Sequence, residues 1–214
     1  VPKLDLNTVE GQIAALKSPA VNVRNSGFTR LKAAGAKAVP AVAALLNDSD
    51  SFIAARAIWL LAQMGDEGIA KVKPLLESKD ATQRLVAYRA LRRANHEVEL
   101  MAYKMATDSD PAVRREVALT VRDMPANRCG PVLVEVAHAF DGKDRAYLEA
   151  LGLGSEGKDL ILGKNGRNIV QFDSGRELFS NGAVALGRRG LAGLAWIDAD
   201  ADGRLTADDP VWKE

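Results

Sequence analysis

The chain has 214 residues, 47% hydrophobic, 27% charged and only 5% aromatic, and its 29 basic and 28 acidic residues leave a formal charge of +1. That balance fits an Ala- and Leu-rich helical protein and gives no net electrostatic drive toward nucleic acid or a membrane surface. Cys129 is the only cysteine, which excludes an intramolecular disulfide, and no apolar run approaches the length of a membrane span. No signal peptide is visible, and the start at Val1 rather than Met points to an upstream segment that has been processed or left out.

From the N-terminus, Val9 and Leu16 fall where the second helix of a leading repeat would place apolar residues. Four repeats then follow at a strict spacing of thirty residues. Gly27, Ala57, Ala87 and Val117 share one position, Phe28, Ile58, Tyr88 and Ala118 the next, and Leu31, Leu61, Leu91 and Val121 a third. The i, i+1, i+4 pattern puts each set on one face of a helix. Turn formers come next, at Gly35, Gly65, Asn95 and Pro125. A second apolar stripe follows, at Val42, Val72, Ala102 and Val132 and again at Leu46, Leu76, Ala106 and Val136. Asp50, Asp80 and Asp110 close the cycle as N-caps for the next first helix.

Each repeat therefore reads as helix, turn, helix. A unit of this size cannot bury its apolar face alone, so the fold expected is an all-α, right-handed α-solenoid of about 30-residue repeats. Tyr147, Leu148 and Leu151 continue the first-helix positions, which places the repeat domain at residues 1–157. The stretches "NVRNSGFTRLKAAG", "ATQRLVAYRALRRAN" and "DPAVRREVALTVRDM" resemble HEAT-like repeats of the phycobilisome-lyase type. That resemblance implies a binding or scaffolding module. It does not imply an activity, because the family spans accessory proteins, scaffolds and regulatory subunits. Residues 134–159 are also similar to HEAT regions of large exported bacterial proteins.

Composition shifts near residue 158, where a Gly- and Asn-rich stretch breaks the register and carries a strand-like patch at Ile169 to Phe172. Residues 158–214 are expected to form a C-terminal cap with a small irregular calcium-loop element. In "DADADGRLTADD", Asp198, Asp200 and Asp202 stand at positions 1, 3 and 5 of a calcium loop, and Gly203 takes the sharp turn at position 6. The Arg204 carbonyl, Thr206 and Asp209 follow at positions 7, 9 and 12. Hard oxygen donors at alternate positions suit Ca²⁺, and no His or Cys nearby favours another metal. With Asp rather than Glu at position 12, the loop resembles dockerin and EF-hand-like loops of large bacterial exoproteins. Upstream, "DSGRELF" offers Asp173 and Glu177 as a weaker second site, but Asn165, Arg167 and Ile169 occupy positions where oxygen ligands should stand.

No catalytic constellation is legible. His96 and His138 sit far apart in sequence, and Cys129 at a helix opening reads as a small buried residue before it reads as a thiolate. Arg84 and Arg114 share a repeat position, with Arg92, Arg93 and Arg115 nearby. They read first as ion-pair partners of Asp80 and Asp110 that lock one repeat to the next, and second as a basic concave face for nucleic acid. The function expected is a noncatalytic protein-interaction scaffold with a structural Ca²⁺, extracellular or periplasmic because such a loop suits millimolar calcium, and able to self-associate through an open repeat end.

Overall fold

The computed structural model describes residues 4–156 and four short strands beyond them. Through residue 156 every regular element is helical, and among the described residues no helix is long and apolar enough to cross a membrane. The chain divides into two compact halves, Val1–Glu97 and Val98–Glu214. The first contains α1 (Val9–Lys17), α2 (Val21–Ala34), α3 (Val39–Ala43), α4 (Ser51–Leu61), α5 (Gly65–Val72) and α6 (Ala81–Arg93). The second contains α7 (Val98–Met105), α8 (Pro111–Thr120), α9 (Ala126–His138) and α10 (Arg145–Ser155). It also holds β1 (Leu160–Gly163), β2 (Ile169–Gln171), β3 (Ala183–Ala185) and β4 (Trp196–Ile197), paired antiparallel in the order β2-β1-β3-β4.

Most of the repeated apolar positions lie in the core, except that Phe28 and Leu46 are half-buried and Leu45 is buried in place of Leu46. Leu31, Leu61, Leu91 and Val121 are all fully buried, as are Ala57, Ala87 and Val117 and the second-stripe residues Val42, Val72 and Ala102. Burying a Leu or Val side chain of this kind contributes about 1.5–3 kcal/mol, so each repeat draws most of its stability from the same few positions. Gly27 shows how close the packing runs. A Cβ there would meet the Gln12 carbonyl oxygen and the Leu16 nitrogen, each at 2.6 Å, so α2 can cross α1 only with glycine at that point.

The turns after the first helices hold the left-handed backbone that the sequence suggests, with φ of 58° at Gly35, 75° at Gly65 and 55° at Asn95. At Asn95 the termination is a Schellman motif: the His96 N–H donates to the Leu91 carbonyl and the Asn95 N–H to that of Arg92. Pro125 differs and serves as the N-cap residue of α9. The second elements are shorter than a full helix in the first repeats. Here α3 has five residues between 3₁₀ turns, and α5 gives way to a 3₁₀ run at Lys73–Glu77, where Pro74 has no N–H to continue the ladder.

The last helix departs from the thirty-residue register. The N-cap Asp110 is followed by Asp144 in the same role, thirty-four residues on, because α9 ends thirty-three residues after α7 does and the connection that follows is one residue longer. Tyr147 therefore corresponds to Val113 and Leu151 to Val117, one turn earlier than simple counting gives. Four residues are close to one helical turn, so the apolar face survives, with Tyr147 and Leu151 buried.

Candidate functional site

The recurrent polar chemistry of the molecule is concentrated in the turns that precede the first helices. Ser18, Asp48, Ser78 and Asp108 occupy one repeat position, and each side-chain oxygen accepts from the backbone N–H two residues on, at 3.2, 3.0, 3.2 and 2.8 Å. These local bonds bend the chain into the turn. The next polar position then caps the helix: Asp50, Asp80 and Asp110 accept from the N–H groups of Phe52, Thr82 and Ala112, each at 2.8 Å. Ala20 stands at this position before α2 and makes no side-chain cap.

Arginines complete the turn. Arg84 donates through Nη1 to the Ser78 carbonyl at 2.8 Å and to that of Lys79 at 3.4 Å, and Arg24 reaches Ser18 and Pro19 at 3.3 and 3.2 Å. Arg114 bonds the Asp108 carbonyl at 2.5 Å in the same manner, six residues back. The second repeat has Ala54 here, and Arg56 instead donates to the Leu16 and Lys17 carbonyls at the end of α1, at 3.2 and 3.4 Å. The expected pairing of Arg84 with Asp80 and of Arg114 with Asp110 is thus corrected. The carboxylates cap helices, and the guanidiniums satisfy turn carbonyls that no helical N–H can reach.

Arg114 also reaches beyond its own turn. Its Nε donates to the Tyr147 hydroxyl at 3.0 Å and its Nη2 to the Ala139 carbonyl at 3.1 Å, while the guanidinium lies 5.5 Å from the Tyr147 ring centroid. The Tyr147 hydroxyl donates to the Val136 carbonyl at 2.6 Å, and its ring stacks on Phe140 with centroids 5.4 Å apart. Burial pushes the phenol pKa up, against the opposing influence of Arg114. This cluster ties α8, α9 and α10 together.

The remaining members of the basic set are dispersed. Arg92 and Arg93 lie in the last turn of α6, where they complement the helix dipole, and Arg115 approaches Asp144 at 3.8 Å. His96 lies 3.2 Å from the Glu97 carboxylate, which also takes Lys73 at 2.9 Å and has its pKa lowered chiefly by that lysine. Cys129 is fully buried in the first turn of α9 with its thiol directed at the Met124 carbonyl, 3.7 Å away. His138 is exposed at the end of the same helix. No group of three or more His, Cys, Asp or Glu able to hold a metal occurs among the described residues. The calcium-loop positions Asp198, Asp200, Asp202, Arg204, Thr206 and Asp209, with Asp173 and Glu177, lie outside the described residues.

Sequence reading missed the Ser/Asp position of the turns. Its signal was present, since a short oxygen-bearing side chain recurs every thirty residues two places before the cap. No protein-family model matches the chain, and comparison with curated proteins found no match.

Proposed function

We propose that this chain is a noncatalytic protein-interaction scaffold, with its helix-turn-helix repeats stacked as a solenoid and its C-terminal segment holding a structural Ca²⁺. The observation that carries the reading is the recurrence of one architectural set in successive repeats: buried apolar positions, turn oxygen, Asp cap and carbonyl-bound arginine. Recurrent polar groups that are fully occupied in building turns leave the variable outer faces of the helices to meet partners. The nucleic-acid reading loses support, because Arg84 and Arg114 are engaged with backbone carbonyls. A calcium loop of this type also favours an extracellular or periplasmic setting.

Two measurements test the reading. Calorimetric titration of Ca²⁺ into metal-stripped protein should show saturable binding near one ion, and an Asp198→Ala, Asp202→Ala variant should lose it. Fluorescence anisotropy with a labelled oligonucleotide should show no binding at low ionic strength. Absence of heat up to several millimolar Ca²⁺ removes the metal site, and tight, steeply salt-dependent oligonucleotide binding overturns the protein-scaffold reading.

A further inference from the structure

The first helices of the N-terminal half form a layer with an unusual charge pattern. Helices α2, α4 and α6 contain no Asp or Glu, yet together they carry eight Lys and Arg residues. Dipole complementarity explains cations in their last turns. Arg24, Arg56 and Arg84 serve backbone carbonyls, but neither role accounts for the absence of acids from all three helices in a chain that is close to neutral.

Local contacts set how α2 and α4 lie. Lys17, the last residue of α1, pairs with Asp48 in the turn before α4, at 2.8 Å. At the other end Lys32 donates to the Gln63 side chain at 2.9 Å. The two helices are therefore parallel neighbours. Val21 precedes Lys32 by eleven residues and Phe52 precedes Gln63 by the same interval. Val21 and Phe52 thus both stand in the first turns of these neighbouring helices, at the end opposite the Lys32 and Gln63 contact. Both are strongly exposed, Val21 at 68% and Phe52 at 73%.

A single exposed apolar side chain is ordinary. Phe52 is accompanied, because Trp59 follows it at i+7 on the same face of α4 and is half-buried. Helix α6 packs against α4 and presents exposed Arg93 in its last turn. The strip thus runs from apolar at the start of the helices, through Trp59, to cationic at their ends.

We infer that this strip on α2, α4 and α6 is a docking site for an acidic protein segment that carries an apolar or aromatic anchor. The anchor packs on Phe52 and Val21, and carboxylates further along the segment meet Lys32 and Arg93. The interval from Phe52 to Gln63 spans about 16 Å, a length that roughly ten residues of helical ligand cover. A nucleic-acid strand fits less well. Its uniform negative charge would have to pass the exposed Asp50 cap beside Phe52, whereas a polarised peptide places its apolar part there. Trp and Arg are also the residue types that carry most energy at protein interfaces.

The test is selection of a displayed peptide library on the full chain, followed by anisotropy titration of the enriched peptides. Wild type is compared with Phe52→Ser and with Lys32→Glu, Arg93→Glu; all three positions are exposed, and melting curves verify that the variants fold. The expected result is enrichment of peptides joining an apolar anchor to Asp or Glu, with Kd raised about tenfold or more by either variant. Salt should weaken the wild-type complex and, by screening the new repulsion, strengthen the residual binding of the charge-reversed one. Enriched peptides without acids, or peptides that bind both variants as they bind wild type, overturn the assignment. The inference rests on the scaffold reading, and the two fail differently. Peptides indifferent to Phe52→Ser remove this strip and leave a scaffold with its site elsewhere. A chain that enriches no peptide but binds single-stranded oligothymidylate overturns both.

Discussion

At the scale of single residues, the Arg114 and Tyr147 pair is the most consequential contact in the C-terminal half. Arg114→Met keeps the aliphatic stem but abandons the carbonyls of Asp108 and Ala139 and the Tyr147 hydroxyl. A loss of about 1–3 kcal/mol in unfolding free energy is expected from chemical denaturation, because partly buried acceptors are left without donors. Tyr147→Phe should cost a similar amount through the Val136 carbonyl. The same tyrosine gives a pH signature. Its folded pKa is raised, so its contribution is complete below about pH 10 and is lost as pH rises through the higher folded value. Absorbance titration at the phenolate band should find one tyrosine ionising above that range only as the protein unfolds. In the opposite direction, Asp48 and Glu97 have folded pKa values lowered, chiefly by hydrogen bonds from Lys17 and Lys73. Their contribution is present above about pH 4 and is lost on acidification. Little of this residue-level chemistry was legible in advance. An arginine every thirty residues signals a recurrent role, yet sequence gives no means of choosing between a carboxylate four residues back and a carbonyl six residues back. The structure shows that the carboxylate was already occupied as a cap.

At the scale of elements, the caps and crossings carry the argument. Asp110→Ala removes bonds to two N–H groups at the start of α8 and should destabilise by about 1 kcal/mol, whereas the corresponding position before α2 is already alanine and should gain from Ala20→Asp. Gly27→Val should be far more damaging, since even its Cβ would lie 2.6 Å from the backbone of α1. Circular dichroism melts of the three variants distinguish these outcomes. First helices, caps and left-handed turns were legible because they follow from periodicity and from the local preferences of Gly, Asn and Asp. The second helices were less so. Pro74 interrupts the helical pattern, and an apolar stripe satisfied by a helix is nearly as well satisfied by an α-helix that tightens into a 3₁₀ run. The four-residue shift before α10 escaped notice for a related reason: an insertion of about one turn leaves the apolar face in place and hides itself from pattern counting.

At the scale of the molecule, thirty-residue recurrence organises α2 to α9 as helix pairs, and the proposed function falls to what varies on their outer faces. Two ligands should act on separate parts of the chain. Calcium should bind the C-terminal segment and leave the helices unchanged, and an acidic peptide should engage the first-helix layer. Hydrogen exchange of the intact chain, resolved by peptide mass and recorded alone, with Ca²⁺ and with a library-selected peptide, reads both at once. The account expects Ca²⁺ to slow exchange only beyond residue 157 and the peptide to slow it within α2, α4 and α6. Peptide protection confined to other elements, or a calcium effect spread through the helices, would contradict it.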